Sequence, residues 1–126
     1  MNALDLVFIG LGGAIGSVLR YLASGWVQRF DLWGSFPAGT LTVNVAGCAA
    51  LGLLGGLSEA RSVFSPSARL FLFIGVLGGF TTFSTFSYET LALIRTGEAA
   101  KAFLNVAASL LFCLAGTWLG YGVGSR

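Results

Sequence analysis

Charged residues divide this sequence into long apolar stretches, for none falls within residues 6–19, 32–58, 70–88 or 102–125. Three of these runs reach the roughly 20 residues that a helix needs to cross the hydrocarbon of a bilayer. The first is shorter. It becomes long enough when it continues past Arg20 to Trp26, with the guanidinium reaching back to the interface or facing a wet cavity. The pattern therefore predicts four spanning helices, over about residues 4–26, 37–58, 68–94 and 101–123. Pro37 suits the first turn of the second helix, and Ser65, Pro66 and Ser67 punctuate the approach to the third.

Composition agrees with this reading. Charged residues make up 10% of the 126 positions and hydrophobic ones 56%, where a soluble domain carries about 25% charge. Four spans leave no room for a soluble domain, so the expected organisation is one transmembrane domain over residues 1–126. Any function then lies inside the membrane or between copies of the chain, which excludes most enzyme plans. Asp5 stands where a signal peptide has its basic flank, so the first span is expected to be retained. The chain lacks histidine, the commonest transition-metal ligand and proton shuttle. A formal charge of +2 gives no nucleic-acid footprint. Cys48 and Cys113 both fall within spans, where thiols pack as small apolar groups and no disulfide framework is expected.

Orientation is undecided by charge. Arg61, Arg69 and Arg126 gather on one side of the membrane, and Arg29, Arg95 and Lys101 on the other. Because flanking basic residues set orientation, this balance predicts insertion in both directions and an antiparallel dimer. A single weakly specified orientation is the alternative. Glycines recur at four-residue spacing in the pairs Gly12 and Gly16, Gly52 and Gly56, Gly75 and Gly79, and in Gly116, Gly120 and Gly124. Such faces let helix backbones approach closely in lipid, so they are read as packing seams.

The third span holds the densest candidate chemistry. Gly78 and Gly79 are poor helix formers near mid-membrane and predict a break. A break frees carbonyls that suit a hard cation such as sodium; a continuous helix with packing glycines is the other reading. Beyond them Thr81, Thr82, Ser84, Thr85 and Ser87 place five hydroxyls in seven positions. Each alone can bond back to its own helix, whereas their density indicates a polar path. Phe83 and Phe86 share a helical face, and their electropositive ring edges can hold a small anion, although ordinary packing gives the same spacing. Asn44 lies inside a 27-residue uncharged run and needs partners; Thr40 is one turn before it. On the fourth span Asn105, Ser109, Cys113 and Thr117 form a mildly polar stripe, which suits either a pathway or a helix contact. Glu89 is the one acid well inside a span.

With these residues in view, the chain closely resembles the CrcB/Fluc family of bacterial fluoride channels. The resemblance rests on Gly12-Gly13-Ala14-Ile15-Gly16 through Arg20-Tyr21, on residues 36–47 with Pro37, Gly39, Thr40 and Asn44, and on residues 75–86 with their Thr-Thr-Phe-Ser-Thr-Phe core. It implies an all-α membrane protein with a broken third helix, assembled as a dual-topology antiparallel homodimer in the bacterial inner membrane. It also implies passive fluoride export that relieves toxicity. Asn44, Phe83 and Phe86 would line the fluoride path, Ser84, Thr85 and Glu89 would continue it, and Arg20 would gather anions at a vestibule. Carbonyls of Gly78 and Thr81 would hold a structural sodium ion at the dimer centre. A fourth-helix residue would complete the path, with Ser109 as the assignment and Asn105 as its rival. No P-loop pattern or ATP site accompanies these residues. Two other classes remain to be weighed. A small multidrug transporter would need an acid within its first span, where Asp5 stands only at the edge, and a membrane scaffold would leave Asn44 and the hydroxyl cluster without purpose.

Overall fold

The computed structural model describes residues 2–30 and 33–126. Among them, four helical stretches are long and apolar enough to cross a membrane, at Ala3–Gln28, Ala38–Arg61, Pro66–Arg95 and Ala99–Gly124. No strand occurs among the described residues. The first helix, α1 (Ala3–Gln28), opens on a reciprocal cap: the Asn2 side chain accepts from the Asp5 amide, and the Asp5 carboxylate accepts from the Asn2 amide. Asp5 is thus a helix-starting acid set at the positive end of the dipole. Helix α2 (Ala38–Arg61) ends where Ser62 takes a left-handed conformation.

The third span is built in pieces. Ser65 caps its first turn, Pro66–Arg69, and Leu70–Leu77 then winds as a π-helix before Gly78–Phe80 returns to α geometry. Residues 66–80 together are called α3. The chain then extends at Thr81 and Thr82 and restarts as α4 (Phe83–Arg95). The break predicted near Gly78 and Gly79 is present and lies just beyond them; both glycines remain helical. Helix α5 (Ala99–Gly124) completes the bundle.

Two glycine seams hold the helices together. Along α1 and α3, a methyl group on Gly12 would lie 2.4 Å from the Phe71 carbonyl oxygen, one on Gly16 would lie 2.1 Å from that of Val76, and one on Gly79 would lie 2.6 Å from that of Gly13. Along α2 and α5, methyls on Gly52 and Gly120 would fall 2.1 Å and 2.3 Å from the Thr117 and Ala49 carbonyl oxygens. Backbones touch where side chains would stand, the close approach that favours association in lipid. Contact positions rise together in both partners, so each pair runs parallel, as alternate crossings of one membrane must.

The interior is inverted relative to a soluble protein. Thr40, Ser58, Thr82, Asn105 and Ser109 are buried, while Leu22, Phe103, Leu114, Trp118 and many other large apolar side chains are exposed. Lipid tails solvate that exterior, and polar groups turn inward to find partners. Gln28 secures the turn into α2, its amide donating to the Phe36 carbonyl and accepting from the Gly39 amide. A second tie links the two loops on this side of the membrane. Ser35 donates to Glu98 at 2.6 Å, and Lys101 donates to Ser35 at 2.9 Å and pairs with Glu98.

Candidate functional site at the helix break

The break is built by Asn44. Its Nδ2 donates to the Thr82 carbonyl at 2.9 Å, and its Oδ1 accepts from the Thr82 amide at 2.8 Å. One carboxamide thereby satisfies both backbone groups of an extended residue in the middle of the protein. Its second Nδ2 hydrogen has no hydrogen-bond partner among the described residues. The Thr82 hydroxyl accepts from the Thr85 amide and so caps α4, while donating to the Thr85 hydroxyl at 3.0 Å. Ser84 lies 3.3 Å from the same hydroxyl. This is a chain of neutral dipoles laid around the positive end of a 13-residue helix.

Cavities lie on both sides of Thr82, which lines each of them. The larger, about 640 Å³, is a polar vestibule walled by Arg20, Thr40, Thr85, Glu89 and Glu98 among others. The smaller, about 280 Å³, is a mainly apolar chamber containing Asn44, Phe83, Phe86 and Ser109. In it the Phe83 and Phe86 rings lie 5.3 Å apart at 46°, and Phe83 is 76% exposed on the isolated chain. The Ser109 hydroxyl is buried and meets no hydrogen-bond partner among the described residues. Ser109 is a lining residue of the chamber, and its hydroxyl is an uncommitted donor among the described residues. Asn105, its rival one turn away, is fully buried and donates to Thr90 at 2.9 Å, tying α5 to α4.

On the vestibule side, Thr40 donates to Glu89 Oε1 at 2.9 Å, whereas Glu89 Oε2 is buried without a partner among the described residues. Arg20, inside the first span, points Nη1 at the Thr81 carbonyl from 3.5 Å, the outer limit of a hydrogen bond. Arg20 also lines the vestibule. Glu98 closes the rim, its carboxyl held below the usual range by hydrogen bonds from Lys101 and then Ser35.

The carbonyls of Gly78 and Thr81 are both released by the break. In a continuous helix the Gly78 carbonyl would accept from the Thr82 amide and that of Thr81 from the Thr85 amide; these amides bond instead to Asn44 and to the Thr82 hydroxyl. Neutral carbonyl oxygens are the donor type a hard cation takes, though a full shell needs about six. One chain offers two of them. The sequence-derived residues thus divide between two compartments: Asn44, Phe83, Phe86 and Ser109 share the chamber, Arg20, Thr85 and Glu89 share the vestibule, and Ser84 joins the hydroxyl chain at the wall. Thr82 was not singled out from sequence as the wall itself. Its position directly before Phe83, with Thr85 three residues on, is the spacing of a helix cap.

Residues 7–121 match the family model described as CrcB-like protein, Camphor Resistance (CrcB). A curated relative from Geobacter metallireducens, named fluoride-specific ion channel FluC, is 52% identical over 117 residues, covering 93% of this chain and 94% of that protein. Another of the same name, from Geotalea daltonii, is 49% identical over 116 residues, covering 91% and 92%. Methanosarcina acetivorans has a relative named fluoride-specific ion channel FluC 1, at 46% identity over 115 residues, covering 91% and 86%. The family model and the relatives run through all four membrane crossings, and this chain is a multi-pass membrane protein of the CrcB family.

Proposed function

We propose that the protein is a fluoride channel whose ion path runs from the vestibule, past Thr82, into the chamber of Phe83 and Phe86. The observation that carries this reading is the buried, unpartnered hydroxyl of Ser109, a residue of the same chamber as Asn44, Phe83 and Phe86. Fluoride is small and strongly hydrated, so a narrow path must replace its water with close donors. Neutral hydroxyls, an amide and ring edges do so without a fixed charge that would hold the ion too tightly to release. The start of α4 adds a positive helix end beside the same chamber. The names of the relatives point to the same ion.

Arg20 raises the local anion concentration in the vestibule, and Thr85 and Glu89 continue the polar track there. Transport is passive: fluoride leaves down its gradient, which relieves its accumulation in the cytoplasm. The working unit is an antiparallel homodimer, supported by the balance of flanking basic residues and by Phe83 exposed at the open side of the chamber. Gly78 and Thr81 carbonyls from two such copies would hold a sodium ion between them. Held there, a sodium ion would supply fixed positive charge between the two broken helices, and Asn44 keeps the backbone open by binding both backbone groups of Thr82.

Fluoride efflux from liposomes bearing the pure protein tests the path. Phe83→Ile and Phe86→Ile keep apolar bulk and remove the electropositive rim, and each is expected to cut efflux by about tenfold or more. Efflux unchanged in both variants removes the rings from the path.

A further inference from the structure

Cys48 and Cys113 have no part in the path described above, yet the fold sets them face to face. Gly52 meets Thr117 at the seam of the parallel helices α2 and α5. Cys48 and Cys113 each stand four residues earlier, which is one turn back on both helices. Both thiols are free and half-buried, and both line the chamber beside Asn44, Phe86 and Ser109. They are therefore reachable by a small solute that enters the chamber.

We propose that Cys48 and Cys113 form a two-thiol site for a soft divalent cation of linear preference, the chemistry of mercuric ion, and that an ion bound there obstructs the chamber. Thiolates select soft metals. Among the described residues no group of three or more histidine, cysteine or acidic side chains gathers, so a four-coordinate site of the zinc type is not offered, whereas two-coordination is. Charge selects further. Two thiolates neutralise a divalent ion, leaving no net charge in apolar surroundings, while a monovalent soft ion would leave an uncompensated negative charge there at a cost. Each thiol releases its proton to water as its sulfur–metal bond forms, and no oxidation state changes. The obstruction rests on the fluoride path proposed above; the binding does not.

Titration of purified, pre-reduced protein with mercuric chloride, followed by thiolate-to-mercury absorbance, is expected to saturate at one ion per chain. Cys48→Ala and Cys113→Ala should each weaken uptake by about 100-fold or more, measured against a competing monothiol, because the second bond of a chelate forms at high effective concentration. Two ions per chain, or equal uptake by the double variant, overturns the site. In liposomes, mercuric ion should slow wild-type fluoride efflux by about tenfold relative to its own untreated rate, a dithiol should restore it, and the double variant should keep its own rate. A mercury-loaded wild type that conducts at its untreated rate overturns the obstruction. Absent efflux before any mercury is added defeats the fluoride reading instead, and the binding stoichiometry still decides the site.

Discussion

Ser109 and Asn105 stand one turn apart on α5, and the surroundings give them opposite work. Asn105 is committed to Thr90, whereas Ser109 has a free hydroxyl. Ser109→Ala therefore breaks no hydrogen bond among the described residues and removes only a group that the ion would use. Its fluoride efflux should fall by about tenfold with the thermal midpoint in detergent unchanged; a lowered midpoint with full efflux would reverse the assignment. Asn44 should behave differently. Asn44→Ala leaves the Thr82 amide and carbonyl bare, at about 1–3 kcal/mol for each orphaned group. Both stability and efflux should drop, as thermal unfolding and electrode traces would report. The sequence marked Asn44 because an amide in an uncharged run demands partners. It could not choose between Ser109 and Asn105, because a polar stripe looks the same on a contact seam and on a path, and the choice depends on where α4 lies after the break.

At the scale of elements, the glycine seams and the boundaries of the four spans were legible because apolar length and small-residue spacing are local properties. Within one helix the seams make a sharp distinction. Gly52→Ala puts a methyl 2.1 Å from the Thr117 carbonyl oxygen, while one at Gly55 meets nothing within 4 Å. Overpacking of this kind costs about 1–3 kcal/mol, so Gly52→Ala should lower the detergent unfolding midpoint and Gly55→Ala should leave it in place. The π-turns of Leu70–Leu77 were not legible: they set which α3 residues meet α1, and no residue type announces them. The position of the break was read two residues early for a related reason. Gly79 serves the packing of α3 against α1, and the extended backbone follows where Asn44 from another helix pins Thr82. The loop tie of Ser35, Glu98 and Lys101 carries a pH signature. Glu98 ionises below its ordinary value when folded, so its contribution is present above the unfolded carboxylate range and is lost as pH falls through the folded value. The midpoint gap between wild type and Glu98→Gln should thus persist at neutral pH and close in strong acid; a gap that widens in acid would contradict the tie.

For the whole molecule, an apolar exterior and a polar centre make the bilayer the solvent and gather the polar groups around the break. A single chain leaves Phe83 uncovered and frees the Gly78 and Thr81 carbonyls from helical bonding, so the account proposed above requires a second copy inserted the other way. Balanced flanking charge permits this. Everything converges on one claim, that neutral dipoles and ring edges around Thr82 carry dehydrated fluoride and turn away the larger halide. The most direct test compares fluoride and chloride efflux from liposomes holding the pure wild-type protein, with potassium permeability supplied by an ionophore and no pH gradient imposed. The account predicts rapid fluoride release with chloride retained; retention of both ions, or equal release of both, would contradict it.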